Sequence, residues 1–562
     1  MIRIRNLMCC LCVATLLAAC SKSSTDTGAP LAFVPADTPY VYANLERTPK
    51  AVTEQWSKHM QEYWPVAFGM YDGMLAKLDK QADAKSAPFL KIAHAVVDEL
   101  KALDSVDKLR AIGVRPDALI AAYGVGMAPV VRIELGDPVA FKAEVARVEQ
   151  KAGEKLPVGK TGTQEYWQWA HAKAMVIVAI EGSQLVATVA PTDASDTLKQ
   201  TLLGMIRPAQ SIAAAGTLQT LAKQYGYSPY GEGFIDFTRI ATRLSSAPTG
   251  TDLEIAKALG LPTGGSDAAC KSDYLRIAQK FPRLAFGAEE LSEKRVRVGM
   301  QLETDADVAK QLMAAVPAAP GTGASGEGIV DFSVSLPLLK IKDFWLAQAD
   351  AVVAHPFSCP ALADLNKGFG EMKSKLDITV PPPLSDLTGW RVVVDKLQPR
   401  AGGIPDVAGR VLFASNNPAA ALAMAQLTVP ALKDLKLTAD SKPVALPAGL
   451  APAGTPPLFA AMSDKALAIG AGSGEDAALT KFLAAPAAQK PVFFRVYGSG
   501  AIYGLMADFM GEFKSKMPAE TQAQFDAQSK MFKVYEKWIR SFELNMSVNA
   551  SGIALEETVE QN

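Results

Sequence analysis

The stretch Ala174-Met-Val-Ile-Val-Ala-Ile-Glu-Gly-Ser-Gln-Leu-Val-Ala-Thr-Val-Ala190 decides how this chain is built. Two runs of apolar and β-branched residues flank Glu181-Gly182-Ser183-Gln184, which reads as two strands joined by a turn. The same interruption keeps the segment from being a membrane span. A second hairpin, Leu458-Phe-Ala-Ala-Met-Ser-Asp-Lys-Ala-Leu-Ala-Ile-Gly470, is followed like the first by a helical run, so that 176–202 pairs with 458–482. Working outward, 41–45 pairs with 332–336, 130–143 with 410–423, 234–237 with 493–496, and 284–301 with 542–559. The matches keep their order, and their spacing falls from 291 to 258 residues along the chain, as deletions in a second copy require. The sequence therefore predicts one module used twice.

The joint falls at 317–328, Pro-Ala-Ala-Pro-Gly-Thr-Gly-Ala-Ser-Gly-Glu-Gly, where apolar periodicity disappears. Unit one is expected over 31–316 and unit two over 329–562. Strands of period two, two hairpins per unit and interspersed helices predict an α+β fold: two tandem copies of a mixed or antiparallel sheet module with helices packed on the sheets. Over 49–80, Val52, Trp56, Met60, Tyr63, Trp64, Phe68 and Tyr71 recur at spacings of three and four, which makes one core-facing helical stripe. Pro65, inside that run, is expected to end or kink the helix at Trp64.

Composition narrows the function. The chain has 562 residues, 49% hydrophobic and 20% charged, enough apolar material for sizeable cores. Lys plus Arg number 57 against 58 Asp plus Glu, a net charge of -1 that gives no field for a nucleic-acid backbone. Four histidines and six cysteines leave few metal-binding and proton-transfer groups.

The N-terminus carries an address. Arg3 and Arg5 precede an apolar run over 7–17, with small residues Ala18 and Ala19 ahead of Cys20, the pattern of an export signal spanning 1–19. Leu17-Ala18-Ala19-Cys20 resembles the lipobox of bacterial prolipoproteins. The resemblance implies acylation of the Cys20 thiol, cleavage before it, and a lipid (palmitate-type) anchor. Residues 20–30 are then a lipidated, disordered tether. Ser21, in place of an Asp, implies by the same resemblance the outer membrane, with the body facing the periplasm. The opening Phe33-Val-Pro-Ala-Asp-Thr-Pro-Tyr-Val41 resembles uncharacterised bacterial envelope proteins carrying a domain of unknown function that begins near Pro-Ala-Asp-Thr. That family brings no activity to any residue here.

Ser105-Val-Asp-Lys108 and Lys160-Thr161-Gly162 resemble two motifs of serine penicillin-binding enzymes, but their separation does not fit that architecture. Gly470-Ala-Gly-Ser-Gly474 stands between a strand and a helix yet lacks the lysine of a phosphate loop, and reads as a plain turn. His59, His94, His171 and His355 have no partner at ligand spacing. Glu289-Glu290 and Glu556-Glu557 fall on opposite strand faces. No catalytic, cofactor or metal residue is assigned, and no cofactor is expected. Tyr225, Tyr227 and Tyr230, on a glycine-rich connection, are candidate members of a binding rim, with an aromatic-pinned loop as the alternative.

Two functions follow. The favoured one is a non-catalytic envelope lipoprotein that binds a protein, glycan or lipid, or acts as a scaffold, attached to the membrane through its N-terminal lipid. The alternative is a lipid-anchored hydrolase acting on envelope polymers. Of the six cysteines, Cys9, Cys10 and Cys12 leave with the signal and Cys20 takes lipid. Cys270 and Cys359 remain, an even pair that an oxidising compartment would join in a disulfide between the two halves.

Overall fold

The structure, a computed structural model, describes residues 28–81, 86–398, 406–447, 449–451, 454–514 and 517–562. The signal segment 1–19, Cys20 and most of the 20–30 tether lie outside the described residues. Two compact units emerge. Unit one takes the described residues up to Ala278 together with Arg283–Val298 and Leu505–Tyr535, and unit two takes Gln279–Pro282, Gly299–Gly504 and Glu536–Asn562.

Unit one is built on β1 (Tyr40–Ala43), β2 (Ile120–Val125), β3 (Ala128–Glu134), β4 (Val158–Thr161), β5 (Gln164–His171), β6 (Ala174–Glu181), β7 (Gln184–Pro191), β8 (Glu232–Asp236) and β9 (Arg283–Leu291), with β10 (Arg295–Glu303) beginning in it. The spatial order is β4-β5-β6-β7-β3-β2-β1-β8-β9, and β10 pairs with β9. The hairpin quoted at the outset is β6 and β7, whose register closes on Glu181 opposite Gln184. Gly182 has φ 59° at the first turn position, where a side chain would be strained.

Unit two repeats the arrangement with β11 (Val330–Ser335), β12 (Leu387–Gln398), β13 (Asp406–Ser415), β14 (Val444–Ala445), β15 (Leu458–Met462), β16 (Ala466–Ala471), β17 (Val492–Ser499), β18 (Ile539–Asn549) and β19 (Gly552–Gln561). Its order is β14-β15-β16-β13-β12-β11-β17-β18-β19. The order β6-β7-β3-β2-β1-β8-β9-β10 thus recurs as β15-β16-β13-β12-β11-β17-β18-β19. The β1–β2, β12–β13 and β18–β19 ladders are antiparallel, and the fold is α+β. Even the cap chemistry is repeated. Asp137 accepts hydrogen bonds from the Val139 and Ala140 N–H groups ahead of a helix starting at Pro138, and Asn417 accepts one from Ala420 ahead of a helix starting at Pro418.

The cores differ in kind. In unit one the buried faces of β1, β2, β6 and β7 supply Val41, Ala43, Tyr123, Ile177 and Val186, packed under Leu198, Leu202 and Leu203. In unit two the first strand instead buries Asp331, Ser333 and Ser335, and the sheet buries Arg391, Arg410 and Arg495 beside a smaller apolar cluster of Leu412, Leu479 and Phe482.

Proline and glycine act differently in two segments. The helix Lys50–Asp79 runs on through Pro65. Pro65 and Gln61, whose carbonyl loses its donor, are both exposed, so water can serve that carbonyl. Burial of Val52, Met60, Phe68 and Leu75, with the Trp64 indole N–H donating to the Leu100 carbonyl at 2.6 Å, holds the turns on either side. The 317–328 joint is bound along unit two rather than hanging free. Ala319 and Thr322 are buried, the Gly323 N–H donates to Pro486 O at 3.0 Å, and Glu327 takes bonds from Arg391 and Arg410. Among the described residues, no helix is long and apolar enough to cross a membrane.

Candidate functional site

Unit one contains a cleft of about 450 Å³. Its floor is set by the turn Pro30–Phe33, which brings Phe33 against the core. The chain after it is stitched to a later loop: Ala36 N–H donates to Gln210 O at 2.9 Å and Ile212 N–H to Val34 O at 2.8 Å. The end of β2 brings Val125 and Gly126, the helix Phe237–Ser245 brings Arg243, and the helix Gly250–Leu259 brings Thr251 and Asp252.

The charges of one wall are committed to each other. Arg243 donates through Nη1 to Asp252 at 2.9 Å and through Nη2 to Asp37. The other oxygen of Asp252 takes the Met127 N–H at 2.9 Å. Burial, helped by Asp252, pushes the Tyr40 hydroxyl up to about 12, so it stays a neutral donor to the Met127 carbonyl. The other wall is a stack. The Arg207 and Arg132 guanidinium carbons each lie 3.6 Å from the Phe33 ring centroid. Arg132 is fully buried, and its acceptors are neutral: the Tyr123 hydroxyl at 3.1 Å, Gln184 Oε1 at 2.8 Å and the Leu203 carbonyl. Burial lowers its pKa and raises that of Tyr123. Gly204 is fixed by this stack, since a Cβ there would meet Arg132 Nη2 and Phe33.

Unit two holds a second charged cluster, enclosed rather than open. Asp331 receives Arg391 at 2.7 Å and Arg495 at 2.8 Å. Arg410 reaches Asp395 at 2.8 Å, Glu475 at 3.1 Å and Glu327 at 3.1 Å. Burial pulls the Arg410 pKa down, but the acids outweigh it and the net shift is upward. Glu475 is raised, by burial first and by neighbouring Asp395 against the pull of Arg410. This arrangement braces the sheet and the 317–328 segment.

Cys20 lies outside the described residues, and Cys270 and Cys359 are joined in a disulfide. Tyr227 is buried in the core with the Tyr225 ring 5.7 Å away, while Tyr230 is half-buried. The loop is pinned through the Ser228 hydroxyl, which donates to Ala288 O at 2.8 Å, and Tyr227 belongs to the core cluster. Ser105 caps a helix, accepting the Lys108 N–H at 3.3 Å, and Lys160 lies on β4. Gly470 leaves room for Glu475, whose Cβ would be 2.9 Å from a Cβ at that position. His94 pairs with Asp79 at 2.9 Å on an exposed surface, His171 ends β5 in solvent, and His59 lies 3.3 Å from Gln55 Nε2. Among the described residues no group of three metal-ligating side chains gathers.

Neither the stack nor the buried cluster was found from sequence. Their signal was available: Arg132, Arg391, Arg410 and Arg495 each interrupt an apolar strand, as in Val130-Val-Arg-Ile133 and Trp390-Arg-Val-Val393.

Neither a family model nor a curated protein matches the chain. Two solved chains do, both 12% identical to it. Crystal form I of TP0453 covers 50% of this chain and 80% of its own length at a TM-score of 0.22, and crystal form III covers 55% and 91% at 0.23. At these scores the likeness carries no weight for function.

Proposed function

We propose that this chain is a lipid-anchored protein of a bacterial envelope, placed at the outer membrane, whose body binds a ligand without transforming it. The anchor rests on the lipobox ending at Cys20. The binding reading rests on one observation: the cleft of unit one is a preset frame whose Asp37, Asp252 and Arg243 are already committed to one another. Groups held in that way shape a receptor and have little freedom to move protons. The hydroxyls on the lining are those of Thr201, Thr249 and Thr251, and no histidine lies among the lining residues.

The test joins both halves of the proposal. Metabolic labelling with an alkyne fatty acid should mark the wild-type protein and not Cys20→Ala, and the variant should leave the membrane fraction or accumulate as precursor. A photo-crosslinking residue at Thr249, on the cleft, should capture a molecule in intact cells that the same residue at exposed Val139 does not. Labelling that survives Cys20→Ala removes the anchor. Equal capture at both positions, or none at Thr249, removes the cleft as the binding site.

A further inference from the structure

The charged side chains lining the cleft of unit one are Asp37, Asp252, Arg207 and Arg243, two of each sign, so the lining is formally neutral. They are also engaged. Arg243 is shared between Asp37 and Asp252, the other oxygen of Asp252 holds the Met127 N–H, and Arg207 lies over the Phe33 ring. What stays open is a set of groups that make neutral hydrogen bonds. Thr249 precedes the helix Gly250–Leu259 without capping it through its side chain. Among the described residues neither its hydroxyl, nor that of Thr251, nor the Gln210 amide has a hydrogen-bond partner. The Thr201 hydroxyl donates to the Thr197 carbonyl at 2.8 Å and keeps its lone pairs, and Asp37, which gives one oxygen to Arg243, keeps the second for another donor. Hydroxyls and an amide both donate and accept, and a carboxylate oxygen accepts, so a molecule with several hydroxyls can answer every one of them. A cation would have to draw the two acids off Arg243, and an anion would meet the exposed Asp37 carboxylate. Beside the polar set, Pro208 and Ile206, which is 42% exposed, form an apolar ledge of the kind on which the C–H face of a pyranose ring can lie.

Building on the binding role proposed above, we propose that the cleft takes an uncharged saccharide, with its hydroxyls on Gln210, Thr249, Thr251 and the open oxygen of Asp37, and the apolar face of a ring against Ile206 and Pro208. Neither half suffices alone: an apolar ring with one hydroxyl leaves most of the polar set to water, and a charged saccharide disturbs the Asp37–Arg243–Asp252 frame.

The probes are cellotriose and triacetylchitotriose, both neutral, trigalacturonate, which is anionic, and cyclohexanol, a ring with a single hydroxyl. They are titrated into the full-length protein in micelles of a sugar-free detergent and followed by ligand-observed NMR, with empty micelles as blank. One or both neutral trisaccharides should bind about tenfold more tightly than trigalacturonate or cyclohexanol. The comparison of cellotriose with triacetylchitotriose tells whether the amide of an acetamido group is read. The double variant Gln210→Ala, Thr251→Val should lose about tenfold in affinity for the neutral trisaccharide at an unchanged melting temperature, since each change removes a neutral hydrogen bond. Where the pair melts lower, Thr251→Val alone, which keeps the shape of the side chain, should show a smaller loss of the same sign. Trigalacturonate or cyclohexanol binding as tightly as the neutral trisaccharides overturns the assignment, and so does neutral binding untouched by the variants at an unchanged melting temperature. If none of the four probes binds, the saccharide assignment falls, and capture at Thr249 decides separately whether the cleft binds anything.

Discussion

Glu232 is the residue least at ease in its surroundings. On β8, between Ala43 of β1 and Gly287 of β9, it is fully buried, and among the described residues neither carboxyl oxygen has a hydrogen-bond partner. Burial raises its pKa to about 8, so at neutral pH it stays protonated. The unfolded chain ionises near the ordinary carboxyl value while the folded one does not. Stability is therefore fully present at low pH and is lost as pH rises from about 4.5 toward 8, by up to roughly 4–5 kcal/mol. Urea unfolding at pH 5 and pH 8 should show that loss in the wild type and much less of it in Glu232→Met. Parallel pH dependence in both proteins would clear Glu232 of the role. Arg391 presents the opposite case, a buried charge well answered by Asp331 and Glu327. Arg391→Met should lower stability by about 3–5 kcal/mol, because Asp331 would keep its burial and lose its bidentate partner. Legibility at this scale was poor for a physical reason. A period-two pattern reports that a face is buried but not what answers a charge on it, so Arg391 and Arg495 became readable only once Asp331 was placed between them.

Single elements were legible where local chemistry decides them. Gly182 in its turn, and Asp137-Pro138 and Asn417-Pro418 at their caps, do what their sequences say. Pro65 misled because a break in a helix depends on whether water can reach the freed carbonyl, and that is a property of the packed molecule. The 317–328 segment is held more closely than its composition suggests. Its Gly, Pro and Ala content reads as slack chain, yet Gly326 lies so close to the Tyr497 ring that a side chain would collide with it, and Glu327 is drawn down to two arginines. Limited proteolysis should therefore spare 317–328 in the native protein, and Glu327→Ala should open it to cleavage; a native protein cut there at once would return the segment to the status of a free linker. The Cys270–Cys359 disulfide was legible from parity alone. It closes a loop of about 90 residues, and replacing both cysteines with serine should cost up to about 4–5 kcal/mol in chemical unfolding. An unchanged midpoint would mean that the unfolded chain is held together by something else.

At the scale of the whole chain, duplication was legible because strand order survives sequence drift, as the recurrence of β6-β7-β3-β2-β1-β8-β9-β10 in β15-β16-β13-β12-β11-β17-β18-β19 shows. Where the compact units begin and end was not, because hydrophobic periodicity names a buried face without naming what buries it. The helices of Leu505–Tyr535 occupy the second copy in sequence and unit one in space. A fragment ending at residue 316 should consequently melt well below the intact protein and exchange amide hydrogens faster in Lys50–Asp79, near whose Tyr63 the Tyr535 ring sits. Matching protection in fragment and full chain would make Leu505–Tyr535 dispensable to unit one. That interleaving also sets a clock on biogenesis. A ribosome adding about 5–20 residues per second passes residue 298 roughly 10–50 s before it reaches residue 535. Throughout that interval the amino-terminal unit waits, its strands made and its last helices still unwritten. During that interval the apolar faces that Leu505–Tyr535 will cover stay open to other chains.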